Sequence, residues 1–386
     1  MDFRLTPEQE AFRQEVRAFV KQEVTEDLEE EVTYAEDVGP LGRRFIKKLA
    51  QRGWVSMTWP KKFGGQERSV MDRLILWDEL AYAEAPHGSA AERMGAPVIM
   101  LAGSPELQQE FLPRIATGEI DFALGYSEPE AGSDLASLKT RAVEDGDDFV
   151  ISGHKIFNSG CHWAEYHWLA ARTDPDAPKH KGISLFVVDM NTPGITVKPL
   201  WTMCDWRTNI VFYDNVRVPR RCLVGEKNRG FYQIAAALDL ERIQVTGHVK
   251  RQFDDFVAYL RDSGTLARMT QRDAELTRHK LAGLAIEIET CRMLSYRTAW
   301  IQSQGLIPNH EASQIKILYH ETRQHLAHTG AGILGLYGQV QRGDRRAPMK
   351  GLLEYMVRDT VLGTIAGGSS EINRNIIASR GLGLPR

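Results

Sequence analysis

The feature that most constrains this chain is a double change of hydrophobic period, from helical to strand-like at about Asp121 and back to helical after Gly230. Before the first change, Thr6-Pro7-Glu8-Gln9 is a capping box with proline at the first helical position, and Phe12, Val16, Phe19 and Val20 follow at helical spacing. Helical patterning then runs to about Gly118, broken by the Pro/Gly loop from Trp59 to Gly65. Between the changes come short β-rich runs, FALGY, DDFVISG, HWLAAR, ISLFVVD and IVFYDNVRV, separated by turn signals at Asp145-Gly146 and Pro193-Gly194. Beyond Gly230 the helical segments are long. Leu281, Leu284, Ala285 and Ile288 form a typical apolar stripe, and Ala267 to Gln271 is the expected loop. The order predicts an α+β fold, with a helical domain over 1–120, a β-domain over 121–230 and a helical bundle over 231–386.

A chain of 386 residues that is 42% hydrophobic can bury cores for such a fold. Its formal net charge of -3 leaves no electrostatic footprint for nucleic acid or an anionic membrane, so the expected partner is a small molecule. Cys161, Cys204, Cys222 and Cys291 lie far apart with no C-x-x-C pair, which reads as free thiols in a reducing compartment. No apolar run approaches the ~20 residues of a membrane span. The start, MDFRLTPEQEAF, has neither signal nor transit character, so the cytoplasm is the expected location.

Two motifs are weakened by their context. Gly330-Ala331-Gly332-Ile333-Leu334-Gly335 matches G-x-G-x-x-G, but it follows a helical pattern rather than a strand and reads as a glycine-rich helix end. His320 and His325 are five apart, about 140° around a helix at ~100° per residue, and do not share a face as zinc ligands must. No metal is expected. Ser127-Glu128-Pro129-Glu130-Ala131-Gly132-Ser133-Asp134 at a strand end is either an ordinary β-turn or a close-approach cradle for a planar or phosphorylated ligand.

GYSEPEAGSD, then GHKIFNSG (Gly153 to Gly160), then IVFYDNVRVP (Ile210 to Pro219), and finally GGSSEINRNII occur in the order and spacing of the acyl-CoA dehydrogenase family, which the chain resembles over almost its whole length. The resemblance implies an N-terminal helical domain, a middle β-barrel-like domain and a C-terminal four-helix bundle, with FAD between the latter two. By matching position it places Leu124, Tyr126, Ser127, Gly132, Ser133, Phe157, Asn158, Ser159, Gly332, Gly335, Ser369 and Glu371 at the flavin. Ser133, Asp239, Arg242 and Gly368 fall on the substrate side. The family's usual Trp and Thr are replaced by Phe157 and Ser159, which keep an aromatic wall and a hydroxyl. The Arg-x-x-Phe-Gly segment that reaches a neighbouring subunit's FAD is not recognisable around TLARMTQRDAELT.

A second departure concerns the base. Common members of the family carry Tyr-Glu-Gly-Thr where this chain has Ala366-Gly367-Gly368-Ser369, so glycine stands at the position of the catalytic carboxylate. Removing an α-proton from a thioester needs a carboxylate held dry. In FYQIAAALDLERIQV, Ile234, Leu238, Glu241 and Val245 fall on one helical stripe. Glu241 there either pairs with a cation to fix packing or serves as the base. The resemblance favours the base, because the isovaleryl- and long-chain-type subset carries it in the matching Leu-Asp-Leu-Glu-Arg segment, here Leu238 to Arg242. Glu371 is the other carboxylate to consider. In the family the thioester oxygen also accepts from the backbone N–H at Gly367, a donor that glycine keeps. Small residues at 366 and 367 leave room for a branched or cyclic acyl group.

The expected activity is FAD-dependent conversion of an acyl-CoA to the trans-2-enoyl-CoA, with electrons passed to an electron-transfer flavoprotein, in a homodimer or homotetramer. The alternatives are a flavin oxidase or monooxygenase of the same fold and a subunit of a heteromeric acyl-CoA dehydrogenase, as in some actinobacterial relatives.

Overall fold

A computed structural model describes residues 3–34, 38–241 and 243–385; the side chains of 236–241 fall outside that description. The helices before the first strand are α1 (Pro7–Glu23), α2 (Glu26–Tyr34), α3 (Pro40–Gln51), α4 (Val70–Tyr82), α5 (Ala96–Ala102) and α6 (Pro105–Ala116). The capping box at the start of α1 is reciprocal: Thr6 N–H donates to Gln9 Oε1 at 3.0 Å and Gln9 N–H donates to Thr6 Oγ1 at 3.2 Å.

The strands are β1 (Phe122–Gly125), β2 (Arg141–Asp145), β3 (Asp148–Lys155), β4 (Tyr166–Arg172), β5 (Ile183–Asp189), β6 (Ile195–Trp201), β7 (Arg207–Pro219) and β8 (Leu223–Val224). They form one sheet of order β6-β7-β3-β2-β4-β5-β8, with β1 added parallel to β4. The β5 run reads as continuous apolar sequence because both sheet faces are covered. Leu185 and Val187 join Phe111, Phe122 and Trp168 in one core, while Phe186 and Val188 join Phe149, Ile151 and Val211 in the other.

After the sheet come α7 (Gly230–Glu241), α8 (Gly247–Asp262), α9 (Thr265–Arg268), α10 (Gln271–Ser303), α11 (His310–Leu334), α12 (Leu352–Gly363) and α13 (Ser370–Ile376). Helices α8, α10, α11 and α12 bury Val249, Phe256, Leu284, Ile288, Ile315, Leu326 and Met356 in a common core.

Compact packing does not follow chain order. One unit takes the residues up to Gln22, Val70–Glu84 and those from Ile243 on; the other takes Glu23–Ser69 and Ala85–Arg242. Three local expectations are corrected. The loop expected at Ala267 to Gln271 shrinks to Met269 and Thr270, because α9 runs to Arg268 and Thr270 Oγ1 caps α10 by accepting from Asp273 N–H at 3.1 Å. Ala285 is exposed, whereas Leu281, Leu284 and Ile288 are buried. The stripe from Ile234 to Val245 is not one helix face, since α7 ends at Glu241.

Candidate functional site

In the β-unit the candidate flavin segments begin where β1 ends. Ser127 to Asp134 does contain a β-turn, closed by paired Glu128 and Ala131 backbone bonds of 3.0 Å. Its anchor is Glu128, whose buried carboxylate accepts from Lys139 N–H (2.6 Å), Thr140 N–H (2.9 Å) and the Lys155 ammonium (2.8 Å). Lys155 is fully buried and also donates to Tyr126 O at 3.1 Å. Burial pulls its pKa down to about 8 against the attraction of Glu128. Burial works to raise the Glu128 carboxyl, but the Lys155 charge and the hydrogen bonds outweigh it and hold the group below its ordinary value.

Two residues past Lys155, where β3 ends, Phe157 sits at φ +59 with 62% of its surface exposed. A left-handed backbone at a bulky residue costs about 1–3 kcal/mol and persists only where its neighbours enforce it. Here they do. Asn158 N–H donates to Asn209 O at 3.0 Å, and Asn209 Nδ2 donates back to Asn158 O at 2.9 Å. Asn158 Nδ2 donates to Leu124 O at 2.8 Å, Ile156 N–H donates to Ser127 O at 2.9 Å, and Ser159 Oγ reaches Thr208 Oγ1 at 3.4 Å. The structure thus joins Leu124, Tyr126 and Ser127 to Phe157, Asn158 and Ser159 at one sheet end. Gly132 and Ser133 stand exposed on the adjoining turn. Asn158 Oδ1 is buried without a donor among the described residues, and Phe157 offers an exposed ring beside it. An isoalloxazine, planar and bearing hydrogen-bonding edges, fits that pairing.

On β4, burial and then the nearby Lys155 charge push the His167 imidazole down to about 3, and its Nδ1 shares a hydrogen bond with the Tyr213 hydroxyl. Burial, with Arg207, lowers His162 to about 4.

The helical unit holds the glycine turn, Ala366 to Ser369, between α12 and α13. Gly367 and Gly368 lie at φ +65 and φ +89, and a Cβ built on Gly367 meets nothing within 4 Å. Lys316 Nζ (2.6 Å) and Asn373 Nδ2 (2.9 Å) both donate to Gly368 O, and Ser369 Oγ caps α13 by accepting from Ile372 N–H at 3.4 Å. The N–H groups of Gly367 and Gly368 have no acceptor among the described residues. They are donors available to a bound oxygen.

Glu371 is exposed in the first turn of α13, where its own amide and the Ser369 hydroxyl hold its carboxyl below the usual range. That makes it a weaker base, not a stronger one. Gly332 and Gly335 end α11: Gly335, at φ +58, closes the helix by donating to Gly332 O. Among the described residues they share no hydrogen bond with the glycine turn. His325 pairs with Glu287 at 3.0 Å, and no group of three or more His, Cys, Asp or Glu side chains among the described residues could hold a metal ion.

Glu241 is the last residue of α7. Its side chain and that of Asp239 lie outside the described residues, as does Arg242 altogether. What the sequence pattern missed is the restart of the chain just beyond. Asp78 of α4 accepts from Thr246 N–H (2.7 Å), Gly247 N–H (2.8 Å) and Thr246 Oγ1 (3.2 Å), capping α8. Burial raises the Asp78 carboxyl, against the pull of those three bonds. Lys155, Glu128 and Asn209 were also missed as members of the site; the first two lie inside the quoted motifs, where a charged residue flanked by β-rich sequence was the available signal.

The chain matches three family models: the acyl-CoA dehydrogenase N-terminal domain over residues 6–119, the middle domain over 123–216 and the C-terminal domain over 228–382. Acyl-CoA dehydrogenase FadE26 of Mycobacterium tuberculosis is 35% identical over 99% of this chain and 98% of its own length. Acyl-CoA dehydrogenase FadE29 of the same organism is 34% identical over 99% and 98%. Among solved structures, the Tcur3481-Tcur3483 steroid ACAD superposes with a TM-score of 0.92 at 36% identity, covering 100% of both chains. The ChsE4-ChsE5 complex from Mycobacterium tuberculosis gives 0.90 at 34%, also covering 100% of both. No described helix is long and apolar enough to cross a membrane.

Proposed function

The chain belongs to the acyl-CoA dehydrogenase family, and from that premise we propose that it binds FAD, oxidises a CoA thioester with a branched or ring-bearing acyl group to the trans-2-enoyl-CoA, and delivers the electrons to an electron-transfer flavoprotein. The observation that carries this reading is the glycine turn, which has unbonded amides and open space where most relatives place a carboxylate. When bound, FAD supplies the acceptor for the two electrons that leave the β-carbon with hydrogen.

The chain supplies the rest. Glu241 takes the α-proton on its carboxylate, and the C–H electron pair becomes the new C=C bond. The Gly367 N–H donates to the thioester oxygen and stabilises the charge that develops there. Phe157 walls the flavin, and Asn158 braces that wall through its bond to Leu124 O. Ser133, Asp239, Arg242 and Gly368 hold the CoA side. Segments 1–120, 121–230 and 231–386 serve as the functional divisions. A ring-bearing acyl group is further supported by the steroid ACAD neighbour.

A second reading of the assembly has its own support: the two neighbours above are described as pairs of differently named chains, which favours an unlike partner subunit over a homo-oligomer. Anaerobic titration of the purified protein, alone and co-expressed with a related chain, against a panel of acyl-CoA thioesters tests both readings. Flavin bleaching by bulky thioesters is the expected result; a flavin that no thioester bleaches in either preparation sinks the proposal.

A further inference from the structure

We propose that the buried Lys155–Glu128 ion pair is a positioning element for the flavin, fixing both strand-end segments to one another so that the ring of Phe157 and the backbone of Tyr126 to Ser133 keep a single shape. The inference rests on the reading of those segments as the flavin side.

The geometry is specific. Lys155 Nζ bridges Glu128 Oε1 and Tyr126 O, so one ammonium joins the end of β1 to the turn that follows it. Glu128 adds the amides of Lys139 and Thr140, beyond the far end of the same turn. Ile156, the next residue after Lys155, donates its amide to Ser127 O at 2.9 Å. The Lys155 and Ile156 bonds end on Tyr126, Ser127 and Glu128, inside the candidate flavin segment, and the Glu128 carboxylate ties that segment to the amides of Lys139 and Thr140. Both side chains are almost wholly out of water, at 0% and 7% exposure. A buried pair of this kind is a costly way to gain stability, because well-packed apolar residues of similar volume do as well or better. What it adds is direction: charge-assisted bonds fix where two loops sit, which apolar packing does less sharply.

The test uses the full-length protein with three readouts: FAD dissociation constant by reconstitution of the apoprotein, visible spectrum of the bound flavin, and melting temperature of the apoprotein. The exchange Glu128→Gln with Lys155→Met removes both charges at similar volume and avoids leaving one charge alone. The expected result is an apoprotein that melts within a few degrees of wild type, with FAD bound about tenfold more weakly or worse and a displaced flavin absorption band. Wild-type affinity and spectrum in that variant would overturn the proposal and leave the pair as packing only.

Wild-type hydrogen exchange gives an arm that needs no variant. By reciprocity, FAD must slow exchange at the Lys139 and Thr140 amides if the pair and the flavin share one arrangement; unchanged exchange there overturns the proposal. A wild-type chain that takes up no FAD either alone or co-expressed with a related chain overturns the reading of the flavin segments as well, whereas normal uptake with an indifferent double variant overturns this inference alone.

Discussion

The strand-end segments of the β-unit and the glycine turn of the helical unit are both a few residues long, and they are held in opposite ways. Phe157 is kept at φ +59 by bonds above and below it, from Asn209, Leu124 and Ser127, over a buried ion pair. The glycine turn needs no such enforcement at its glycines, because Gly367 and Gly368 adopt positive φ at little cost; its bonds hold its two ends, at Ala366 N–H and Ser370 N–H, and the carbonyls of Gly368 and Ser369. In the β-unit, shape is imposed against the backbone's preference; in the turn it is permitted by the absence of side chains. The first arrangement suits a ligand of fixed shape, such as a flavin, and the second suits a ligand whose bulk differs from one family member to the next.

The sharpest way to break this contrast is to move the carboxylate. Glu241→Gln should slow flavin reduction by substrate at least about 100-fold, read by anaerobic stopped flow, with FAD content near normal. Glu371→Gln should do far less. Adding Gly367→Glu to Glu241→Gln should recover part of the rate, limited by roughly 1–2 kcal/mol for a side chain at φ +65. A wild-type rate in the single Glu241→Gln enzyme removes the base from α7.

Next in size is Asn209→Ala, which removes the Nδ2 bond to Asn158 O while leaving the backbone bond from Asn158 N–H to Asn209 O in place. It should cost about 1–3 kcal/mol of unfolding free energy and weaken FAD binding by about tenfold, seen by calorimetry and reconstitution. If stability falls while FAD affinity holds, the β-unit segments are not shaped for the flavin. Ala366→Tyr fills the open turn instead, and should shift relative kcat/KM toward straight-chain thioesters by roughly tenfold. Unchanged ratios across the panel would show that the turn does not shape the acyl pocket.

The remaining effect, on stability rather than on catalysis, is the response to pH. His167 and His162 in the β-unit have folded values of about 3 and about 4, and His320 in the helical unit about 3, burial being the first cause for each. Below roughly 6.5 the unfolded chain takes up protons that the folded chain refuses, so stability falls as pH drops from there toward 4 and 3. Melting temperature measured from pH 7 to 4 should decline, and His167→Gln should flatten the slope.

Sequence pattern reached some of these features and not others for physical reasons. The reciprocal Thr6–Gln9 cap and the whole of β5 were legible because local spacing determines them. Strand β6 was not, since it pairs only with β7 at the edge of the sheet and carries exposed residues and a proline. Glu128 and Lys155 carry no local sign of their burial, because only the folded sheet brings them together. The end of α7 carries no Gly or Pro signal. The next helix start is dictated by Asp78, 169 residues before Gly247 in the chain, and no window of local sequence contains both.

That Asp78 cap also bears on the order in which the molecule is made. The helical unit includes α1 and α4, which precede the sheet, yet its core partners, from α8 onward, leave the ribosome only after the whole β-unit. The β-unit has all its residues once synthesis passes Arg242, so it can complete its sheet while α1 and α4 still wait, apolar faces uncovered, for more than a hundred residues. At about 5–20 residues per second that wait lasts on the order of ten seconds, long beside the time a helix takes to form. During it, Phe12, Val16 and Phe19 of α1 and Leu74, Trp77 and Leu80 of α4 are the surfaces on which a nascent-chain chaperone would act.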